Sequence, residues 1–144
     1  MPTVSVTQTL DASPEAVWSI IAAGDRVDRW LPAVTACRLE GSGPGARRVC
    51  IVGGAELEER IDTVDPSARL FQYRITRQSM MPIRDIVGTF HVAALGPRKT
   101  HVLWSLRFEL DDPAHLDAIR NGITDLYRAG LAGLATYAAA GGGA

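Results

Sequence analysis

The sequence predicts an α+β domain in which a seven-stranded curved antiparallel sheet wraps around a long C-terminal helix, with two short helices after the first strand. Residues 33–110 break into six short alternating segments divided by turn chemistry, and a seventh such segment opens the chain. Positions 113–139 instead repeat apolar residues every three or four, the spacing of one helix face.

Thr3 to Leu10 alternates β-branched and polar residues with period two, which predicts a half-buried strand. Ser13-Pro14-Glu15 then supplies a capping hydroxyl, a proline at the first helical position and an early acid, with Val17, Ile20 and Ile21 following at helical spacing. Gly24-Asp25 ends that helix and caps a second over 26–30, which Pro32 closes. The six strands are predicted at 33–40, 46–52, 55–64, 69–76, 84–94 and 100–110. Gly41-Ser42-Gly43-Pro44-Gly45, Gly53-Gly54, Asp65-Pro66-Ser67 and Gly96-Pro97-Arg98-Lys99 are short enough to join sequential antiparallel neighbours, so a meander is expected. The link 77–83 is longer and carries Met80, Met81 and Ile83, as either a packed connection or a mobile flap. Asp111-Asp112-Pro113 begins the last helix, whose stripe runs Leu116, Ile119, Ile123, Leu126, Gly130, Leu134, Tyr137. Some 25 residues at 1.5 Å each reach roughly 37 Å, enough to cross a twisted sheet. Residues 1–140 are expected to form a single domain and 141–144 a flexible tail.

With 47% hydrophobic and 22% charged residues and a formal net charge of -1, the composition is that of a globular protein without a basic footprint for nucleic acid. No transmembrane segment and no export signal can be read, so a cytoplasmic location is expected. Cys37 and Cys50 are read as two small buried thiols in a reducing compartment, with metal binding disfavoured by scattered His91, His101 and His115. Those histidines are expected at the surface, and neither metal nor cofactor is expected.

Local residues extend the pattern. Pro14-Glu15-Ala16-Val17-Trp18, Arg29-Trp30-Leu31-Pro32, the segment 59–66 followed by Leu70-Phe71-Gln72-Tyr73-Arg74-Ile75, and Val102-Leu103-Trp104 together resemble the START-like, birch-pollen-allergen-like superfamily, in its polyketide cyclase/dehydrase and lipid-transport group. The resemblance covers nearly the whole chain. It implies a helix-grip fold with a cavity between sheet and helix, in a superfamily that holds carriers, receptors and several enzymes. It also implies that Ser79 to Ile86 is similar to a gate over that cavity, while Asp85 is a candidate rim group from its place just after the link.

Alternation assigns faces without the family. Leu57, Glu59 and Ile61 share one side of their strand, opposite the charged side Glu56, Glu58, Arg60 and Asp62. Phe71, Tyr73 and Ile75, then Ile86, Gly88 and Phe90, then Trp104, Leu106 and Phe108 are assigned to the same concave face, joined by Val49 with Ile51 and by Thr35 with Cys37. Ligand-binding candidates are therefore Thr35, Val49, Ile51, Leu57, Glu59 and Tyr73, with Ile83, Ile86, Phe90, Trp104 and Leu106 from later strands, and Leu126 and Gly130 from the helix. Tyr73 and Trp104 have the alternative role of core filling, Thr35 of a backbone hydrogen bond, and Gly130 of close helix packing rather than added space.

Glu59 stands apart, because a carboxylate on an apolar face must find a partner, take up a proton or sit beside water. A bulge near Gly53-Gly54 that turns it outward is the alternative. The expected function is binding of a small hydrophobic, polyketide-like or aromatic organic molecule. The alternative is a cyclase or dehydratase without metal, with Glu59 as general acid or base and Tyr73 polarising a carbonyl.

Overall fold

Alternation of Val4, Val6 and Leu10 with polar Thr3, Ser5, Thr7 and Thr9 makes Thr3–Leu10 the first strand, β1, with Val4, Val6 and Leu10 buried. In the computed structural model, which describes residues 1–142, this strand leads into α1 (Pro14–Ala23). The Ser13 hydroxyl accepts from the Ala16 amide at 3.1 Å, a cap of the kind that contributes about 1 kcal/mol. Gly24 ends α1 in the left-handed conformation with φ 74°, where a side chain would be strained. The second short helix is shorter than expected, a single 3-10 turn at Val27–Arg29.

Six further strands follow: β2 (Val34–Glu40), β3 (Arg47–Val52), β4 (Ala55–Asp65), β5 (Leu70–Arg77), β6 (Ile83–Gly96) and β7 (Lys99–Leu110). All pairings are antiparallel, and the seven strands lie in the order β1-β7-β6-β5-β4-β3-β2. The meander is thus closed on one side by β1 pairing with β7. Thr100, fully buried, secures that junction by donating its hydroxyl to the Ala12 carbonyl at 2.7 Å.

Asp112 caps a short 3-10 turn at Pro113–His115, from which α2 (Leu116–Ala139) continues. Ile119, Ile123, Tyr127, Gly130, Leu131 and Leu134 form its buried stripe against the sheet. Gly141 and Gly142 close the helix by donating to the Ala138 and Tyr137 carbonyls. Positions 143 and 144 of the expected tail lie outside the described residues. No helix among the described residues is long and apolar enough to cross a membrane.

The two cysteines depart from the sequence expectation. Cys37 and Cys50 stand directly opposite each other on β2 and β3 and are joined as a disulfide rather than lying as separate thiols. Their positions in sequence carry no sign of this, because it follows from the hairpin register. His91 and His115 are exposed and His101 is half-buried.

Candidate functional site

Between the concave face of the sheet and α2 lies a cavity of about 340 Å³. The 3-10 turn region supplies Val27, Trp30 and Leu31 to one wall, and β4 and β5 supply Leu57, Glu59, Tyr73 and Ile75. Phe90, Trp104 and Leu106 form the floor, while Gly122, Ile123, Leu126 and Tyr127 of α2 form the roof. The wall is almost wholly apolar, and Arg48, Glu59, Tyr73, Trp104 and Tyr127 form one linked polar cluster within it, as in sites that orient small organic molecules.

The cluster begins with two charges. Arg48 of β3 lies directly across from Glu59 of β4, and its Nε–H donates to Glu59 Oε1 at 2.8 Å. Both residues are buried, at 5% exposure each. Arg48 Nη1 also donates to the Gly24 carbonyl at 3.1 Å, so one guanidinium ties the end of α1 to two strands. It lies 5.2 Å from the centre of the Tyr73 ring and 5.8 Å from that of Phe71, close enough for cation–π attraction. Burial works against the Arg48 charge, but the field of Glu59 and the hydrogen bond to it, with help from Tyr73 and Tyr127, hold the group above the ordinary arginine range.

Beside the ion pair runs a chain of ring groups. The Trp104 indole N–H donates to the Tyr73 hydroxyl at 3.1 Å, and the Tyr73 and Tyr127 hydroxyls lie 3.4 Å apart. The rings of Trp104 and Tyr127 stack with centres 3.6 Å apart and planes at 7°, which fixes the helix to the sheet at this point. Burial, then the charge of Glu59, pushes the Tyr73 phenol up to about 12 against the opposing hydrogen bonds and Arg48. Burial and the neighbouring Tyr73 also raise Tyr127 well above the ordinary phenol range. At neutral pH both phenols are therefore uncharged hydrogen-bonding groups. The indole N–H of Trp30, at another wall, is buried without a hydrogen-bond partner among the described residues.

Several expected positions are brought together at this cavity: Leu57, Glu59, Tyr73, Phe90, Trp104, Leu106 and Leu126 all line it. Others are corrected. Val49 and Ile51 belong to the opposite face, because the concave positions of β3 are Arg48, Cys50 and Val52. Each face of this short strand carries one arginine and two apolar residues, so alternation alone leaves its phase open. Thr35 is exposed beside an irregularity in the β2–β3 pairing, and its hydroxyl reaches the Ile51 carbonyl at 3.4 Å. Ile83 and Ile86 are buried in the core away from the cavity wall. Gly130 adds no space, since a Cβ there would meet Leu31 at 2.7 Å and Trp104 at 2.8 Å. Asp85, with φ 53°, stays outside the cavity wall and accepts from its neighbour Arg84 at 3.2 Å.

Arg48 and Tyr127 were not expected. Tyr127 was legible in principle, four residues after Ile123 and three before Gly130 on the helix stripe. Arg48 had a weaker signal, as an isolated charge sharing its side of β3 with Cys50 and Val52. Glu59 accordingly is not a lone carboxylate: of the open outcomes, it finds a partner.

The link between β5 and β6 forms part of the rim through Gln78, Met80 and Met81. The Gln78 side chain folds it, donating to the Met81 and Ile83 carbonyls at 2.8 and 3.2 Å and accepting from the Met80 and Met81 amides at 2.8 and 2.9 Å. Met80 remains 39% exposed.

The family model for polyketide cyclase/dehydrase and lipid transport matches residues 1–139. No curated protein matches the sequence closely enough to count as a relative. Among solved structures, a protein from Thermobifida fusca is 29% identical with a TM-score of 0.82, the match covering 94% of this chain and 91% of that one. An uncharacterised protein from Bacillus thuringiensis is 21% identical with a TM-score of 0.82, over 95% of this chain and 98% of that one. The di-domain ARO/CYC BexL of the BE-7585A biosynthetic pathway is 21% identical with a TM-score of 0.81, over 94% of this chain and 46% of that one.

Proposed function

Because the chain belongs to the polyketide cyclase/dehydrase and lipid transport family, we propose that its cavity takes up one small, mainly apolar molecule of polyketide-like or aromatic character, with the polar end toward Arg48, Glu59, Tyr73 and Tyr127. The observation that carries this reading is the linked cluster of Arg48, Glu59, Tyr73, Trp104 and Tyr127 in an otherwise largely apolar enclosure. Apolar walls contribute roughly 25 cal/mol for each Å² of ligand surface removed from water, which gives affinity without direction. Direction comes from the neutral phenols and from the guanidinium, whose Nη2 has no hydrogen-bond partner among the described residues. These donors suit a carbonyl, enol or phenol oxygen.

Native mass spectrometry of protein purified from its own host tests the proposal. A co-purified aromatic or otherwise apolar organic molecule, released on unfolding, is the expected result. A highly polar cargo such as a sugar phosphate would contradict it.

A second reading, in which the same cavity is a cyclase or dehydratase site, is favoured by the Glu59 carboxylate and the Tyr73 hydroxyl standing on the same wall. Glu59 Oε1 is engaged with Arg48, and Oε2 is the atom that would take or return a proton. Tyr73 would donate to the carbonyl under attack. This reading requires Tyr73→Phe to abolish turnover of a poly-β-carbonyl substrate while leaving its binding within a few fold; binding alone requires no turnover in either form.

A further inference from the structure

α2 carries three glycines before its end, at 122, 130 and 133, and glycine is the least favourable residue in a helix interior after proline. Close packing accounts for two of them. A Cβ on Gly130 would collide with Leu31 and Trp104, and one on Gly133 with the Trp30 carbonyl. Gly122 has no such neighbour: no atom beyond its own helix and chain neighbours would lie within 4 Å of its Cβ. It is exposed, yet it lines the cavity, as do its helix neighbours Ile123 and Leu126 and Gln78, Met80 and Met81 of the β5–β6 link.

From this contrast we infer that Gly122 sets ligand length, holding open the gap through which the far end of a long ligand passes between α2 and the β5–β6 link. The inference rests on the proposed binding of an apolar molecule and adds its size limit. With the polar end of a ligand held at Arg48 and the tyrosines, its apolar end is directed toward this opening. A side chain at position 122 fills space that no protein atom uses, so it excludes the end of a long ligand and leaves a short one untouched.

The probes are 4-alkylphenols of increasing chain length, titrated calorimetrically into wild type, Gly122→Ala, Gly122→Leu and the control Ala118→Leu, whose position is exposed and away from the cavity wall. In wild type each added methylene that finds apolar cover strengthens binding by roughly fourfold. Gly122→Leu is expected to keep wild-type affinity for the short phenols and to lose at least about tenfold for the long ones, with Gly122→Ala showing a smaller shift in the same direction. Ala118→Leu should follow wild type. Gly122→Ala also removes a helix-disfavouring residue, so its melting temperature should not fall, which keeps the test usable should the leucine variant fold poorly. An identical length profile in wild type and both Gly122 variants overturns this inference and leaves the binding proposal intact. Failure of every phenol to bind wild type overturns the binding reading, and this inference with it.

Discussion

Arg48 and Glu59 occupy paired positions on adjacent strands and meet at 2.8 Å in the cavity wall, both almost fully buried. Two charges so far from water are kept by each other, and the attraction offsets a desolvation cost of several kcal/mol per ion.

Removing one partner should therefore cost far more than removing both. Glu59→Gln or Arg48→Met alone is expected to lower unfolding free energy by about 3–5 kcal/mol in urea titrations, since each strands a buried polar group. The double variant Arg48→Met/Glu59→Leu should recover most of that loss while binding polar-ended ligands poorly. Single and double variants of equal stability would argue that the pair is not coupled.

The tyrosines predict a loss of stability in alkali. Tyr73 rises from 10.0 to about 12 on folding, so its contribution is complete below about pH 10 and disappears as pH climbs through about 12. Two units correspond to about 2–3 kcal/mol. Denaturant titrations between pH 9 and 12 should show the decline, reduced in Tyr73→Phe, and a profile unchanged by that substitution would contradict the assignment.

Gly88 is paired with Tyr73 across β5 and β6, and a Cβ there would fall 2.0 Å from the Tyr73 ring. Gly88→Ala should displace the ring, break the bond from Trp104 and cost about 1–3 kcal/mol as an overpacked site. Thermal unfolding measures the cost and near-ultraviolet circular dichroism the ring movement; unchanged spectra would mean the strand shifts instead.

Much of this arrangement is legible in the sequence, and what is not has identifiable causes. Alternation placed Leu57, Glu59, Tyr73, Phe90 and Trp104 on the cavity side because each strand there is long enough to fix its phase. It failed on β3, six residues long, where a buried arginine broke the rule that charge faces water. Partnership of Arg48 with Glu59, and of Cys37 with Cys50, depends on hairpin register, which neither residue type announces. On α2 the stripe was found but read through Leu126 rather than Tyr127, and one residue turns a helix by about 100°.

The β5–β6 link invites a kinetic prediction. Met80 and Met81 line the opening while Ile83 is anchored in the core, so a mobile lid would involve the methionines. Met80→Ala/Met81→Ala should speed ligand release with little change in melting temperature, and hydrogen exchange over 77–86 should slow when ligand is bound. Equal exchange with and without ligand would make the link a fixed connection.

For a small aromatic molecule entering between the sheet and α2 the chain carries its own reporters, since Trp30 and Trp104 line the cavity while Trp18, the third tryptophan, lies on α1 outside its lining. Nitrogen-15 spectra recorded during titration with 2-naphthol should show saturable shifts of the Trp30 and Trp104 indole signals and a nearly stationary Trp18. Shifts confined to Trp18, or none at saturating probe, would mean that no such molecule occupies the cavity.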